Sequence, residues 1–201
     1  MAVTAVTVES ILTRINNHFK DDQNTIYSEA VKIGWINEAQ KDLAWKLPID
    51  ALSMLVVSRK QDSVESTTGS YKYPLPDDFM RMIEVVYYNI PCKPILLRQR
   101  QIISRNMDYC PTESEPMAII RERKIEIYPS SLSAGTNKIE LIYLKIPDTL
   151  SAKGDTVVLD QFEELILFYS LSQGYAIDRQ PEADSYKAQY INGIVELLGV
   201  K

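Results

Sequence analysis

Apolar side chains in this chain change period twice, from helical to alternating and back. Near the start, Val8, Ile11, Leu12, Ile15 and Phe19 recur at steps of three and four, which predicts an amphipathic helix after Thr7. A polar loop from Lys20 to Thr25 leads to a second predicted helix, from about Ser28 to Leu47. Val31, Trp35, Ile36, Ala39 and Leu43 lie on one side of it, and Pro48 ends it. The two are expected to form an antiparallel pair.

The middle of the chain reads as strands. Met54 to Val57 predicts one, followed by a long hairpin tip or loop from Gln61 to Ser70, rich in Ser, Thr and Gly. Next comes Tyr71-Lys72-Tyr73-Pro74-Leu75-Pro76-Asp77-Asp78-Phe79, read as a structural hinge. Pro74 and Pro76 cannot donate to a sheet ladder, so the strand ends or lies at an edge there. Asp77 or Asp78 is placed to cap a short turn or helix carrying Phe79 and Met80. Ile83 to Tyr88 and Pro94 to Leu97 are further strands, and Gln99 to Met107 a short helix. Met117 to Ile120 and Ile125 to Tyr128 flank a charged turn, Arg121-Glu122-Arg123-Lys124. Beyond a loop from Pro129 to Asn137, Lys138 to Tyr143 alternates with Ile139, Leu141 and Tyr143 on one face.

Helical spacing then returns. Asp160 and Glu163 form a variant capping box ahead of a stripe of Phe162, Leu165, Ile166 and Tyr169. Pro181 opens a last helix bearing Tyr186, Tyr190, Ile194 and Leu197, which stops at Gly199. The expected fold is α+β. Residues 1–50 and 155–201 form one antiparallel helical bundle, and 51–154 form a β-rich insertion with hairpins, an arm or loop and a short helix.

Composition narrows the function. The 201 residues are 45% apolar and 24% charged, ordinary values for a globular chain. No apolar run approaches a membrane span, and the N-terminus lacks a signal-peptide pattern, so a protein made in the cytoplasm is expected. Cys92 and Cys110 are read as free structural thiols, and His18 as a solvated or surface residue. A net charge of −5 argues against a dedicated nucleic-acid binder. Lys93 to Lys124 nevertheless carries seven basic residues against four acidic ones. That segment is either a solvated face or a patch for nucleic acid or an acidic protein. Twelve Tyr against four Phe, several on strands, suits subunit interfaces, although sheet propensity also raises Tyr.

The sharpest enzymatic pattern is Pro76-Asp77 with Glu122 and Lys124, the loose signature of a metal-dependent nuclease. There two acids hold a divalent ion and the lysine assists the attacking water. Glu122 and Lys124 fall in the predicted turn, whereas that chemistry needs them on one strand face. The acids Asp155, Asp160, Glu163 and Glu164 are explained by helix-start chemistry without a cation. No catalytic residue, cofactor or metal is expected.

Several blocks together resemble the head-to-tail adaptor (connector) proteins of tailed bacteriophages. They are Tyr73 to Arg81, Ile125-Glu126-Ile127-Tyr128-Pro129, Tyr143 to Ser151, and Asp155 to Leu159 leading into a helix. The opening helix pair with Ile36-Asn37-Glu38-Ala39-Gln40 adds to them. Lys93 to Pro116 has no counterpart, and the chain stops at Lys201 without the long tail of some adaptors. The resemblance implies a virion structural protein forming a ring, a dodecamer, between portal and tail or nozzle protein. DNA would pass through its lumen without sequence-specific binding, and no membrane is involved. Neighbour contacts are expected on an arm: Gln61, Ser63, Ser66, Thr67, Thr68, Ser70, Tyr71 and Tyr73. Portal contacts are expected at Glu196, Leu197, Leu198, Val200 and Lys201, with Pro74, Pro76, Asp77, Asp78 and Phe79 as the hinge. Another neck or tail ring, a stopper or terminator, is the neighbouring reading.

Overall fold

A computed structural model describes residues 5–61, 72–96, 111–112, 114–128 and 139–199. The chain divides into two compact units, one made of Met1–Leu55 with Ile146–Lys201 and the other of Val56–Lys145. Helices and strands segregate between them, giving an α+β protein.

The helical unit starts with α1 (Val8–Phe19), which buries Val8, Ile11, Leu12 and Ile15. Its free N–H groups are met twice. The Thr7 hydroxyl accepts from Ser10 N, and Val8 and Glu9 donate to the carbonyls of Asp155 and Lys153 at 3.0 Å each. Lys20, at φ 53°, ends the helix in the left-handed region.

Helix α2 (Glu29–Lys46) buries Lys32, Ile33, Trp35, Ile36, Ala39, Gln40, Leu43 and Ala44. Val31, expected on that face, is 42% exposed. A 3₁₀ segment, Ile49–Leu55, follows, so Met54 and Leu55 are not in a strand.

Helix α3 (Glu163–Ile177) is buried on most sides, through Leu165, Ile166, Leu167, Ser170, Leu171, Ser172 and Gly174. Helices α1, α2 and α4 (Glu182–Leu197) all pack on it. Two glycines set the approach. A Cβ on Gly174 would stand 2.3 Å from the Phe19 ring, and one on Gly193 would stand 2.4 Å from Leu165. The capping box does not form. A 3₁₀ turn, Asp160–Phe162, leads into α3, and the Glu163 N–H donates to the backbone carbonyl of Asp160. The backbone thus does the work expected of a side chain.

The β-rich unit holds two four-stranded sheets. The first has the order β1 (Val56–Gln61), β8 (Ile139–Lys145), β3 (Phe79–Tyr87), β4 (Ile90–Pro91). The second has the order β2 (Lys72–Pro74), β7 (Lys124–Tyr128), β6 (Met117–Arg121), β5 (Lys93–Pro94). All pairs are antiparallel except β5 with β6. Tyr73, Ala118, Ile125 and Ile127 from the second sheet join Val85, Tyr87, Ile139, Leu141 and Tyr143 from the first in one core.

Strands β1 and β2 belong to different sheets, and the expected hairpin tip or loop after Gln61 lies outside the described residues. The expected helix at 99–107 and loop at 129–137 lie outside the described residues. The hairpin at Arg121–Lys124 forms as expected. Glu122 and Arg123, at φ 52° and 57°, make the two-residue turn that matches strand twist.

Candidate assembly surfaces

The hinge is built from the second sheet outward. Tyr73, 2% exposed, pairs with Ile125, and Pro74 pairs with Lys124 on an edge strand where its missing N–H costs nothing. Leu75 N donates to the Arg123 carbonyl at 2.9 Å. Pro76 is buried, and its carbonyl accepts from Phe79 N at 3.1 Å, closing a tight turn. Phe79 then opens β3 directly, so the expected short helix at Phe79 and Met80 is replaced by strand. The hinge carries the chain from one sheet to the other. Asp78 accepts a hydrogen bond from the Tyr143 hydroxyl at 2.9 Å, and the Phe79 and Tyr143 rings lie 5.7 Å apart. Burial and the Asp78 carboxylate both raise the Tyr143 phenol above its ordinary range.

This folding brings the two halves of the nuclease pattern to the same corner, because β2 lies beside β7. The acids do not converge there. Asp77 is fully exposed and stands 3.8 Å from Arg123, while Glu122 holds Arg121 at 2.9 Å. Among the described residues no group of three or more His, Cys, Asp or Glu is placed to hold a metal ion. Asp77, expected as a backbone cap, is an exposed ion-pair partner.

The tyrosines expected at wet interfaces are mostly core. Tyr73, Tyr87 and Tyr143 are buried, Tyr88 is half exposed, and Tyr128 donates to Glu126. Burial, with neighbouring Tyr73, pushes Tyr87 well up. Cys92 is buried in the same core, which pushes its thiol up to about 12 and removes it from thiolate chemistry near neutrality. Of the expected arm, Gln61 pairs with Ile139 and is buried, and Tyr73 is in the core. Ser63, Ser66, Thr67, Thr68, Ser70 and Tyr71 lie outside the described residues, as do Arg98, Arg100, Arg105 and Cys110.

In the helical unit the expected acid cluster is divided among separate tasks. Arg14 forks across Glu163 (3.0 Å) and Glu164 (2.7 Å), and Asp155 accepts from Ser151 N and Ala152 N at 2.7 and 2.8 Å. Those two backbone bonds lower the Asp155 carboxyl. His18 meets the Tyr186 hydroxyl at 3.3 Å.

A buried polar site went unseen in the sequence. The Lys32 ammonium sits among Asn16 Oδ1 (2.6 Å), Asp21 Oδ2 (2.8 Å) and Asn24 Oδ1 (2.9 Å). Asp21 also accepts from the N–H groups of Thr25, Ile26 and Tyr27. The loop before α2 is thereby fixed with Ile26 displayed, 56% exposed.

Apolar exposure concentrates at the end of α4. Ile191, Val195, Leu197 and Leu198 are 46, 39, 46 and 43% exposed, while Tyr190 and Ile194 face α3. Of the expected portal-docking residues, Leu197 and Leu198 are on this surface with exposed Glu196; Val200 and Lys201 lie outside the described residues.

The fold is thus α+β, with an aromatic core, a clasped loop and exposed apolar residues on the last helix. No described helix is long and apolar enough to cross a membrane. The chain matches the SU10 adaptor protein family over residues 6–200, nearly its whole length, and belongs to that family of structural phage head-to-tail adaptors. No curated protein matches it.

Proposed function

We propose that the protein forms a homo-oligomeric ring between the portal and the next tail component, with DNA passing through the centre. Membership of the adaptor family over residues 6–200 carries this reading. The exposed apolar side chains Ile191, Val195, Leu197 and Leu198 support it, since apolar residues exposed together suit a partner surface. Leu197 and Leu198, with Glu196, Val200 and Lys201 beyond, are the proposed portal contact. The net charge of −5 fits a lumen through which DNA slides without adhering.

The neighbour-contacting arm is proposed for residues 62–71, anchored by buried Gln61 in the first sheet and buried Tyr73 in the second. The hinge from Pro74 to Phe79 would then set the direction in which the chain returns from the arm.

The test is negative-stain electron microscopy of purified protein mixed with portal rings. Wild-type protein should add a ring to one end of the portal, and Leu197→Asp with Leu198→Asp should abolish that addition while the fold survives by circular dichroism. Deletion of Thr67 to Ser70 should prevent ring closure. Unchanged rings after that deletion would refute the arm. DNA cleavage with Mg²⁺ that disappears in Asp77→Ala would refute the whole reading.

A further inference from the structure

Charge is divided unequally between the two compact units. The helical unit, 1–55 with 146–201, has nine Lys and Arg against sixteen Asp and Glu, a net of −7. The β-rich unit, 56–145, has thirteen against eleven, a net of +2, which together restore the −5 of the chain.

On the helical unit one face of α4 carries both an apolar centre and acid. Asp184, Ile191 and Val195 recur at seven and four residues, so they share one side of the helix, adjoining the face that buries Tyr190 and Ile194, with exposed Lys187 one turn before Ile191. Ile191 and Val195 are 46% and 39% exposed, and Asp184 is exposed. On the β-rich unit the β6–β7 hairpin tip carries Arg121, Arg123 and Lys124 with one acid, Glu122, which holds Arg121 at 2.9 Å. Its Arg123 side chain is 71% exposed and meets Asp77 only at 3.8 Å, and Lys124 is exposed beside it.

We propose that neighbouring copies meet helical unit to β-rich unit, with the Asp184–Ile191–Val195 face of α4 on one copy seated against the Arg121–Lys124 hairpin tip of the next. This rests on the ring reading and specifies its faces. Two different surfaces meet in a heterologous contact, as ring closure requires. The complementary signs attract, whereas helical units packed side by side would set two −7 surfaces within a Debye length of roughly 10 Å. Ile191 and Val195 supply the desolvated centre, and the charges form the rim that selects the partner. The α4 residues nearer the chain end stay free for the portal.

Zero-length carbodiimide coupling of an equal mixture of ¹⁴N- and ¹⁵N-labelled protein tests this. The chemistry joins a carboxylate to a lysine amine only in direct contact, and mixed-isotope links identify contacts between copies. Links from Asp184 to Lys124 are expected. Arg121→Glu with Arg123→Glu should weaken self-association about tenfold or more, and adding Asp184→Lys should recover part of it. Rings whose intercopy links join helical unit to helical unit would overturn this inference and leave the ring reading standing. Absence of any ring would refute both. Lost DNA retention with unchanged association in the Arg121→Glu, Arg123→Glu protein would assign the hairpin to DNA and overturn the inference as well.

Discussion

Lys32 and Asp21 are both fully buried and stand 2.8 Å apart, the ammonium of the second helix neutralising the carboxylate of the loop that precedes it. Asn16 and Asn24 complete the cage, so neither charge is left without hydrogen bonds. Such a pair adds little net stability over an apolar filling, but removing one partner strands the other in the core. Lys32→Ala is therefore expected to destabilise the protein by about 3–5 kcal/mol, measured by urea unfolding. Asn24→Ala, which removes one acceptor and no charge, should cost much less.

The same site gives a pH dependence. Burial alone would raise the Asp21 carboxyl, but Lys32 and the N–H groups of Tyr27, Ile26 and Thr25 outweigh it and hold the group far below the usual carboxylate range. A depressed folded-state value means the unfolded chain binds the proton more readily. The contribution is complete above the ordinary Asp value of about 3.9 and is lost as pH falls from there toward the folded value. NMR titration of the Asp21 carboxyl carbon should show it still ionised at about pH 3, below the ordinary Asp value of about 3.9.

At high pH the phenols act in the other direction. Burial and the bond to Asp178 raise Tyr27 to about 12, and burial with Asp42 pushes Tyr190 further. A raised folded value gives stability that is complete below about pH 10 and declines above it. Ultraviolet titration should show that these buried phenols ionise only as circular dichroism reports unfolding.

Gln40 is fully buried in α2, and neither its amide nitrogen nor its oxygen has a hydrogen-bond partner among the described residues. An unpaired buried amide costs about 1–3 kcal/mol. Gln40→Met, of similar length and without polar demand, should raise the thermal midpoint. A fall would mean that the amide is engaged.

Glu122 and Arg123 both occupy the left-handed region at the hairpin tip, where Asn-Gly is preferred. Glu122→Asn with Arg123→Gly should stabilise the protein by about 1 kcal/mol in urea unfolding. This stabler variant should also associate less well, since Arg123 is lost.

Elements that follow local pattern were legible. The spacing of Val8, Ile11, Leu12 and Ile15 after Thr7 is enough to place α1, and the charged quartet between two apolar runs is enough to place the β6–β7 turn. Strand partners were not, because alternation states which face is buried and not what lies alongside. Val56–Gln61 pairs with Ile139–Lys145, far along the chain, and no nearby residue signals it.

The run Met54 to Val57 misled because a short apolar stretch fits a 3₁₀ turn as well as a strand. Lys32 did leave a trace. Extending the Ile36, Ala39, Leu43 stripe back one turn lands on Lys32 and not on Val31, so a charged residue occupies a core position. Its partner could not be read, since Asp21 reaches it only once the loop has closed. The hinge was visible as punctuation, yet its role in passing the chain between two sheets depends on pairings that only the fold supplies.

Ring formation at the portal can be seen by cryo-electron microscopy of the intact particle. A closed ring of this chain is expected at the neck, with the end of α4 against the portal and DNA density through the lumen. A neck without this chain, together with purified protein that stays monomeric beside portal rings, would contradict it.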